Sequence, residues 1–190
     1  MESGIENWKD VFQLVIQAIG VGTIAYAVMS YKVSRKQQHF AVVHKCIERY
    51  QTHFAGSKFF SEVKTLKYID LVNEELFYMK NEYLPFIVSV EWIDGILDIL
   101  PIMKNREQIF TNPNSPIRKP LSDEMLKLYP RIRHAFTIKQ NFPENIDLTE
   151  PYNLALRKNV IEEIMSNLLS EQRNIKQKTR KALIKMYHDF

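Results

Sequence analysis

Residues 11–31 read VFQLVIQAIGVGTIAYAVMSY and contain no charged side chain. A transmembrane α-helix needs about 20 predominantly apolar residues to cross the hydrocarbon of a bilayer. The stretch has this length, and we expect it to be a membrane-spanning helix. A buried core helix is the alternative, because the stretch also contains two glutamines, Gln13 and Gln17.

The charges on either side of this stretch differ in sign. The tail over residues 1–10 has three acidic residues against one lysine, whereas Lys32, Arg35 and Lys36 follow the stretch directly. Basic residues favour the cytoplasmic side of a membrane. We therefore expect a short extracytoplasmic tail over residues 1–10 and a cytoplasmic body after residue 31.

Small and polar residues recur through this stretch at steps of three or four positions: Gln13, Gln17, Gly20, Thr23, Ala27, Ser30 and Ser34. Such spacing places side chains along one side of a helix. Polar residues within a membrane usually face another helix or water, and small residues let helices approach closely. We expect the helix to self-associate, with this stripe either at a helix–helix interface or lining a pore formed by several chains.

The rest of the chain has few helix breakers and a helical spacing of apolar residues. Helices are predicted over residues 32–55, 57–81, 84–100, 122–139 and from 153 to the end of the chain. Prolines place a loop at 104–120, Ser122 has the character of an N-cap, and Pro130 predicts a kink. The predicted fold class is all-α, in which a single transmembrane helix continues into a stalk (32–55) and a cytoplasmic helical bundle (56–190).

The net charge of +4 is distributed unevenly, since residues 32–190 carry 25 basic and 19 acidic side chains. The basic residues are concentrated near the C-terminus: Arg173, Lys176, Lys178, Arg180, Lys181 and Lys185. A cationic helix face of this kind could bind anionic lipid or RNA. A solvated face that complements the helix dipole is the alternative.

The sequence contains no Gly-rich phosphate loop, no zinc-protease motif and no paired cysteines, and Cys46 is its one cysteine. We expect neither a cofactor nor a bound metal. Glu91, Asp94 and Asp98 share one face of a predicted helix. We interpret these three acids as the water-facing side of that helix rather than as a cation site.

The layout of a span at 11–31, a stalk from Lys32 and a helical body ending in a basic helix resembles one family. These are the small membrane accessory proteins encoded beside the RNA-targeting effector nucleases of type VI-B CRISPR systems. The resemblance covers nearly the whole chain but rests on architecture rather than on a diagnostic motif. It implies a divergent HEPN-like body, a bacterial inner-membrane location, and an oligomeric pore that strengthens antiviral defence by depolarising the membrane. The implied partners are membrane lipid, further copies of the chain, and an RNA-targeting effector or RNA.

The same resemblance directs attention to the HEPN ribonuclease signature, an arginine followed after four to six residues by a histidine. Seven residues separate Arg180 from His188, so the motif is degenerate. We therefore expect no enzyme activity, and Arg180 and His188 are the pair to test first. A membrane-tethered ribonuclease and a non-catalytic membrane scaffold remain the alternative functions.

Overall fold

The computed structural model describes the backbone of residues 3–139, 141 and 146–188, and the side chains of residues 26–139, 141 and 146–187. The chain divides into two compact units, residues 1–41 and residues 42–190, which we call the N-terminal unit and the body.

The described residues form seven α-helices and one small hairpin. They are α1 (Ser3–His53), α2 (Glu62–Lys80), α3 (Phe86–Leu97), β1 (Ile102–Lys104), β2 (Glu107–Ile109), α4 (Asp123–Leu128), α5 (Pro130–Ala135), α6 (Leu154–Leu168) and α7 (Ile175–His188). A 3-10 turn, Pro151–Asn153, precedes α6. Helix accounts for 65% of the residues and strand for 4%, which confirms the predicted helical class and corrects it by one hairpin.

The hairpin overlaps the start of the stretch, residues 104–120, that was predicted to be a loop. β1 and β2 pair antiparallel with Met103 opposite Gln108, and the two residues of the connection, Asn105 and Arg106, have φ angles of 50° and 70°. A two-residue hairpin of this kind requires positive φ at both positions and usually carries glycine there. The Asn-Arg pair lacks that glycine, so the turn has no strong signal in the sequence.

Residues 11–25 hold most of the predicted membrane span, and their side chains lie outside the described residues. Over the part of the chain that is described, no helix combines the length and the apolar character needed to cross a membrane. Gln13, Gln17, Gly20 and Thr23 of the predicted stripe fall in this undescribed set. The span and its stripe therefore stay predictions.

The core of the body is built around α6, which packs against α3, α5 and α7. Its side chains Ile161 and Ile164 are fully buried, as are Ile93 of α3 and Phe136 after α5. Among the described residues, every buried hydrophobic side chain lies at Cys46 or later. The last turns of α1, which the sequence assigned to the stalk, thus belong to the core of the body.

Two predicted helices are each divided in the structure. Ser122 does cap α4, since its hydroxyl accepts a hydrogen bond from the Met125 amide at 3.1 Å. Tyr129 then leaves the helical region (φ −119°, ψ 64°), as residues before proline tend to, and Pro130 starts a new helix rather than a kink. The long C-terminal helix ends at Leu168 and restarts after Asn174, which has a positive φ of 59°.

Candidate functional site

The described part of the predicted stripe lies on one side of α1. Ala27, Ser30 and Ser34 are separated by three and four residues within a continuous helix, and all three are exposed. The predicted membrane-surface residues Lys32, Arg35 and Lys36 are exposed as well. Every side chain from residue 26 to residue 38 is exposed.

Large apolar side chains occupy the other sides of the same segment. Tyr26 is 75% exposed, Met29 69% and Phe40 72%, and Val28 and Val33 are also exposed. Apolar surface on several sides of one helix is unfavourable in water and usually marks contact with lipid or with another protein. The exposed surface of this part of α1 is therefore of the kind that contacts lipid or another protein.

The predicted C-terminal basic residues form a cationic face on the body. All six of them, Arg173 in the turn before α7 and five on α7 itself, are exposed, while Ile175, Thr179 and Leu183 are buried beneath. Arg180 donates from Nε to the Glu162 carboxylate at 2.8 Å, an ion pair between α7 and α6. We call this set the α7 basic face.

Arg180 and His188, the pair to test first, both lie on α7, where eight residues of helix correspond to a rise of about 12 Å along the axis. The guanidinium of Arg180 is directed to Glu162, and the side chain of His188 lies outside the described residues. The geometry of α7 thus offers no support for a ribonuclease centre built from this pair alone.

The three acids of α3 have separate roles in the structure. Arg157 of α6 donates to Asp94 at 2.6 Å and to Asp98 at 2.7 Å, and the Tyr187 hydroxyl donates to Asp94 at 2.8 Å. The interpretation of the three as a water-facing set is therefore wrong for Asp94, which joins α3 to α6 and α7, whereas Asp98, directly after α3, is 41% exposed and also pairs with Arg157. A sequence cannot show that an arginine 59 or more positions away will meet them.

Glu91 does not belong to that network and lines a cavity of about 530 Å³ between the end of α1, α2 and α3. We call this cavity the α1–α2–α3 groove. All of its lining residues belong to the body. Its polar or aromatic lining includes Tyr50, Tyr68, Glu75, Glu91 and Trp92, and its apolar lining includes Ile47, Ile96 and Ile99.

Glu75 is the unusual member of the groove. Its side chain is only 8% exposed, yet none of the described residues donates a hydrogen bond to its carboxyl group or forms an ion pair with it. Burial raises the pKa of Glu75 to about 8, an effect that the Arg49 charge opposes and the Glu74 charge increases. Glu163 Oε2 is the one buried side-chain oxygen or nitrogen without a hydrogen-bond partner among the described residues, so the carboxyl oxygens of Glu75 reach the open space of the groove.

Cys46 and Tyr68, two further lining residues that form the floor of the groove, are neutral near pH 7. Cys46 is 1% exposed, and burial raises the pKa of its thiol to about 12. Burial also raises the pKa of the Tyr68 hydroxyl well above its ordinary value. A reactive cysteine needs an accessible thiolate, so this floor suits binding rather than nucleophilic chemistry.

The sequence analysis did not single out Glu75, which lies on the buried face of α2. In the structure Glu75 shares that face with Leu71, Val72 and Met79, while Phe77 is exposed. Glu75 stands four residues after Leu71 and four before Met79, a spacing at which an apolar residue is expected. An acidic residue at a position where the spacing predicts an apolar one is the feature of the sequence that could have identified Glu75 as a candidate site residue.

Within the described ranges, no group of three or more His, Cys, Asp or Glu side chains is arranged to hold a metal ion. Comparison of the chain with protein-family models, curated proteins and solved structures finds no match.

Proposed function

We propose that this chain is a single-pass protein of the bacterial inner membrane that self-associates through its N-terminal helix and forms a pore or channel. In this proposal residues 1–10 face outward, residues 11–31 span the bilayer and the body lies in the cytoplasm. The action is physical: assembly of several copies, leakage of ions and depolarisation.

The observation that carries the proposal is the surface of α1 in the N-terminal unit. The helix continues without interruption through residues 11–41, and from residue 26 it has large apolar residues on several sides and Ala27, Ser30 and Ser34 on one. Lipid would cover the large apolar residues, and a neighbouring helix would pack on the small ones. The uncharged sequence of residues 11–31 supports the same arrangement further along the helix.

The α7 basic face and the basic residues after the predicted span support a position beside anionic lipid. Each exposed Lys or Arg near an anionic leaflet contributes about 1 kcal/mol to membrane attraction. Lys32, Arg35 and Lys36 are exposed on α1, and the body presents its own cations on α7. Both sets would favour the cytoplasmic leaflet in the proposed orientation.

The resemblance to accessory proteins of type VI-B CRISPR systems supports a biological setting for this activity. In that setting the pore acts beside an RNA-targeting effector nuclease and slows the growth of a phage-infected cell. Co-expression with such an effector during phage challenge, with membrane potential as the readout, tests the setting separately from the pore.

The deciding experiment measures ion flux through liposomes that contain the purified full chain. We expect the wild-type chain to release a trapped dye or potassium from vesicles with anionic lipid. Gln13→Leu combined with Gln17→Leu should reduce the release at least several-fold, because it removes the polar groups that would face water in the pore. Vesicle flotation must first show equal incorporation of the two proteins.

Gln37→Leu combined with Gln38→Leu is the matched control, since it makes the same chemical change at two exposed positions beyond the predicted span. This control should leak like the wild type. Sealed vesicles despite full incorporation would contradict the pore and favour a scaffold. Equal leakage by the Gln13/Gln17 variant and the wild type would show that these two glutamines do not contribute to ion flux through the pore.

A further inference from the structure

We propose that the α1–α2–α3 groove binds a small organic cation, an amine or quaternary ammonium group, whose positive charge is held by Glu75. This inference concerns the body alone and does not depend on whether the N-terminal helix forms a pore. The groove lies entirely within residues 42–190.

The charge of the groove favours a cation. Two carboxyl groups, Glu75 and Glu91, belong to its lining, and no lysine, arginine or histidine among the described residues does. The guanidinium of Arg49, whose charge acts on Glu75, already forms an ion pair with Glu74. A positively charged ligand would give Glu75 the partner that the described residues do not provide.

The aromatic lining favours the same ligand class. Trp92, Tyr50 and Tyr68 contribute to the walls, and aromatic faces attract ammonium groups, tryptophan most strongly. Ile96 and Ile99 supply apolar surface for the carbon atoms of the ligand. A volume of about 530 Å³ lies within the range of about 300–1,000 Å³ that is usual for small-molecule sites.

Gly95 leaves the groove open. A Cβ atom built on Gly95 meets nothing within 4 Å, so a side chain can begin at this position of the groove lining without a clash. We expect a leucine here to occupy part of the groove. The position therefore allows the groove to be blocked independently of its charge.

Binding of a cation should be coupled to release of a proton from Glu75. The groups that face Glu75 are Cys46, Arg49 and Tyr50 of α1, Tyr68 and Glu74 of α2, and Glu91 of α3. With a pKa of about 8 the carboxyl group is mostly protonated at pH 7, whereas an ammonium ligand pairs with the carboxylate. Affinity should then rise about tenfold per pH unit below this pKa and level off above it.

Choline and its uncharged isostere 3,3-dimethylbutan-1-ol are suitable probes, because they differ in one positive charge that does not titrate. The full chain with Trp8→Phe retains Trp92 as its one tryptophan, so Trp92 emission reports occupancy of the groove. We expect choline to bind with an affinity that rises with pH from 6 to 8. The isostere should bind at least about tenfold more weakly at pH 8.5, with no pH dependence.

Three variants test separately the contribution of the Glu75 charge and that of the open space in the groove. Glu75→Gln should lower choline affinity at pH 8.5 by about tenfold or more and abolish its pH dependence, while Gly95→Leu should weaken both probes. Glu124→Gln, an equal change of charge at an exposed position of α4, should bind choline like the wild type. Calorimetry in two buffers of different ionisation enthalpy should detect release of nearly one proton per choline bound at pH 7 and none with Glu75→Gln.

The proposal is overturned if choline shows no saturable binding, if its affinity does not change between pH 6 and 8, or if the isostere binds equally well. Tight binding of the isostere alone would instead assign the groove to an uncharged apolar ligand. Unchanged choline affinity in Gly95→Leu would place the cation outside the groove. None of these outcomes depends on the liposome flux.

Discussion

Glu74 and Glu75 are adjacent on α2 and have opposite electrostatic environments. Glu74 accepts hydrogen bonds from Lys45 at 2.7 Å and Tyr78 at 2.6 Å, and it forms an ion pair with Arg49. Burial alone would raise the pKa of Glu74, but these partners lower it below its ordinary value. Glu75 is more deeply buried and has no such partner, so its pKa rises.

At the scale of one residue, this difference predicts how stability depends on pH. Between pH 4.5 and about 8 the Glu75 carboxyl group is protonated in the folded chain and ionised in the unfolded chain. Raising the pH through this window should therefore destabilise the wild type relative to Glu75→Gln, by about 1.4 kcal/mol per pH unit. Urea unfolding of the two proteins at several pH values measures the difference.

Glu74→Gln should behave in the opposite way and serves as the control. The lowered pKa of Glu74 stabilises the fold at pH 7, and this contribution is lost as the pH falls below 4.5 through the pKa of the folded state. The variant should be less stable than the wild type at pH 7 and should approach it in acid. A stability difference between Glu75→Gln and the wild type that is constant with pH would contradict the assigned environment of Glu75.

Two glycines, Gly95 within α3 and Gly56 after α1, allow the effect of a glycine substitution on an element to be compared in two backbone conformations. A Cβ atom would meet no neighbour at either position, so contacts do not distinguish them. Gly95 lies inside α3, where alanine is about 0.8–1 kcal/mol more favourable than glycine. Gly56 follows α1 with a φ of +73°, a conformation that costs other residues about 1–2 kcal/mol.

Gly95→Ala should therefore raise the free energy of unfolding by about 0.5–1 kcal/mol, and Gly56→Ala should lower it by about 1 kcal/mol. Chemical denaturation of both variants under the same conditions tests the pair. A loss of stability in Gly95→Ala would show that the backbone of α3 at this position is not regular helix.

The division of the whole chain into two units predicts that folding of the body and attachment to a membrane can be separated by truncation. The buried hydrophobic residues among those described all lie within residues 46–183, which belong to the body. A chain of residues 42–190 should therefore unfold cooperatively on its own and keep its helical circular dichroism. A non-cooperative melt would show that the body needs residues 1–41 to fold.

The same truncation also tests the proposal that residues 1–41 anchor the chain in a membrane. Without residues 1–41 the protein lacks the exposed apolar segment of α1 and should no longer resist extraction from membranes at high pH. The α7 basic face would remain, so any residual binding to anionic vesicles should weaken strongly with salt. Retention of the truncated chain in the membrane after extraction would contradict the proposed anchor.

The sequence by itself predicted the helical class, the Ser122 cap and the exposed basic side of the last helix, because these depend on spacing and side-chain chemistry within a few turns. It did not predict the β1–β2 hairpin, since Asn105 and Arg106 lack the glycine that normally marks such a turn. It also gave no indication that Asp94 and Asp98 would meet Arg157 from a distant helix.

The existence of the α1–α2–α3 groove could be recognised only from the tertiary structure. Cys46, Glu75 and Gly95 come from three helices, and only the packing of those helices leaves a cavity between them with a buried carboxyl group inside it. Periodicity can identify which side of one helix is buried, but the space left between several helices depends on how their side chains fill it. The uncharged stretch at residues 11–31 remains a property read from the sequence, whereas the site proposed at Glu75 could be recognised only in the folded body.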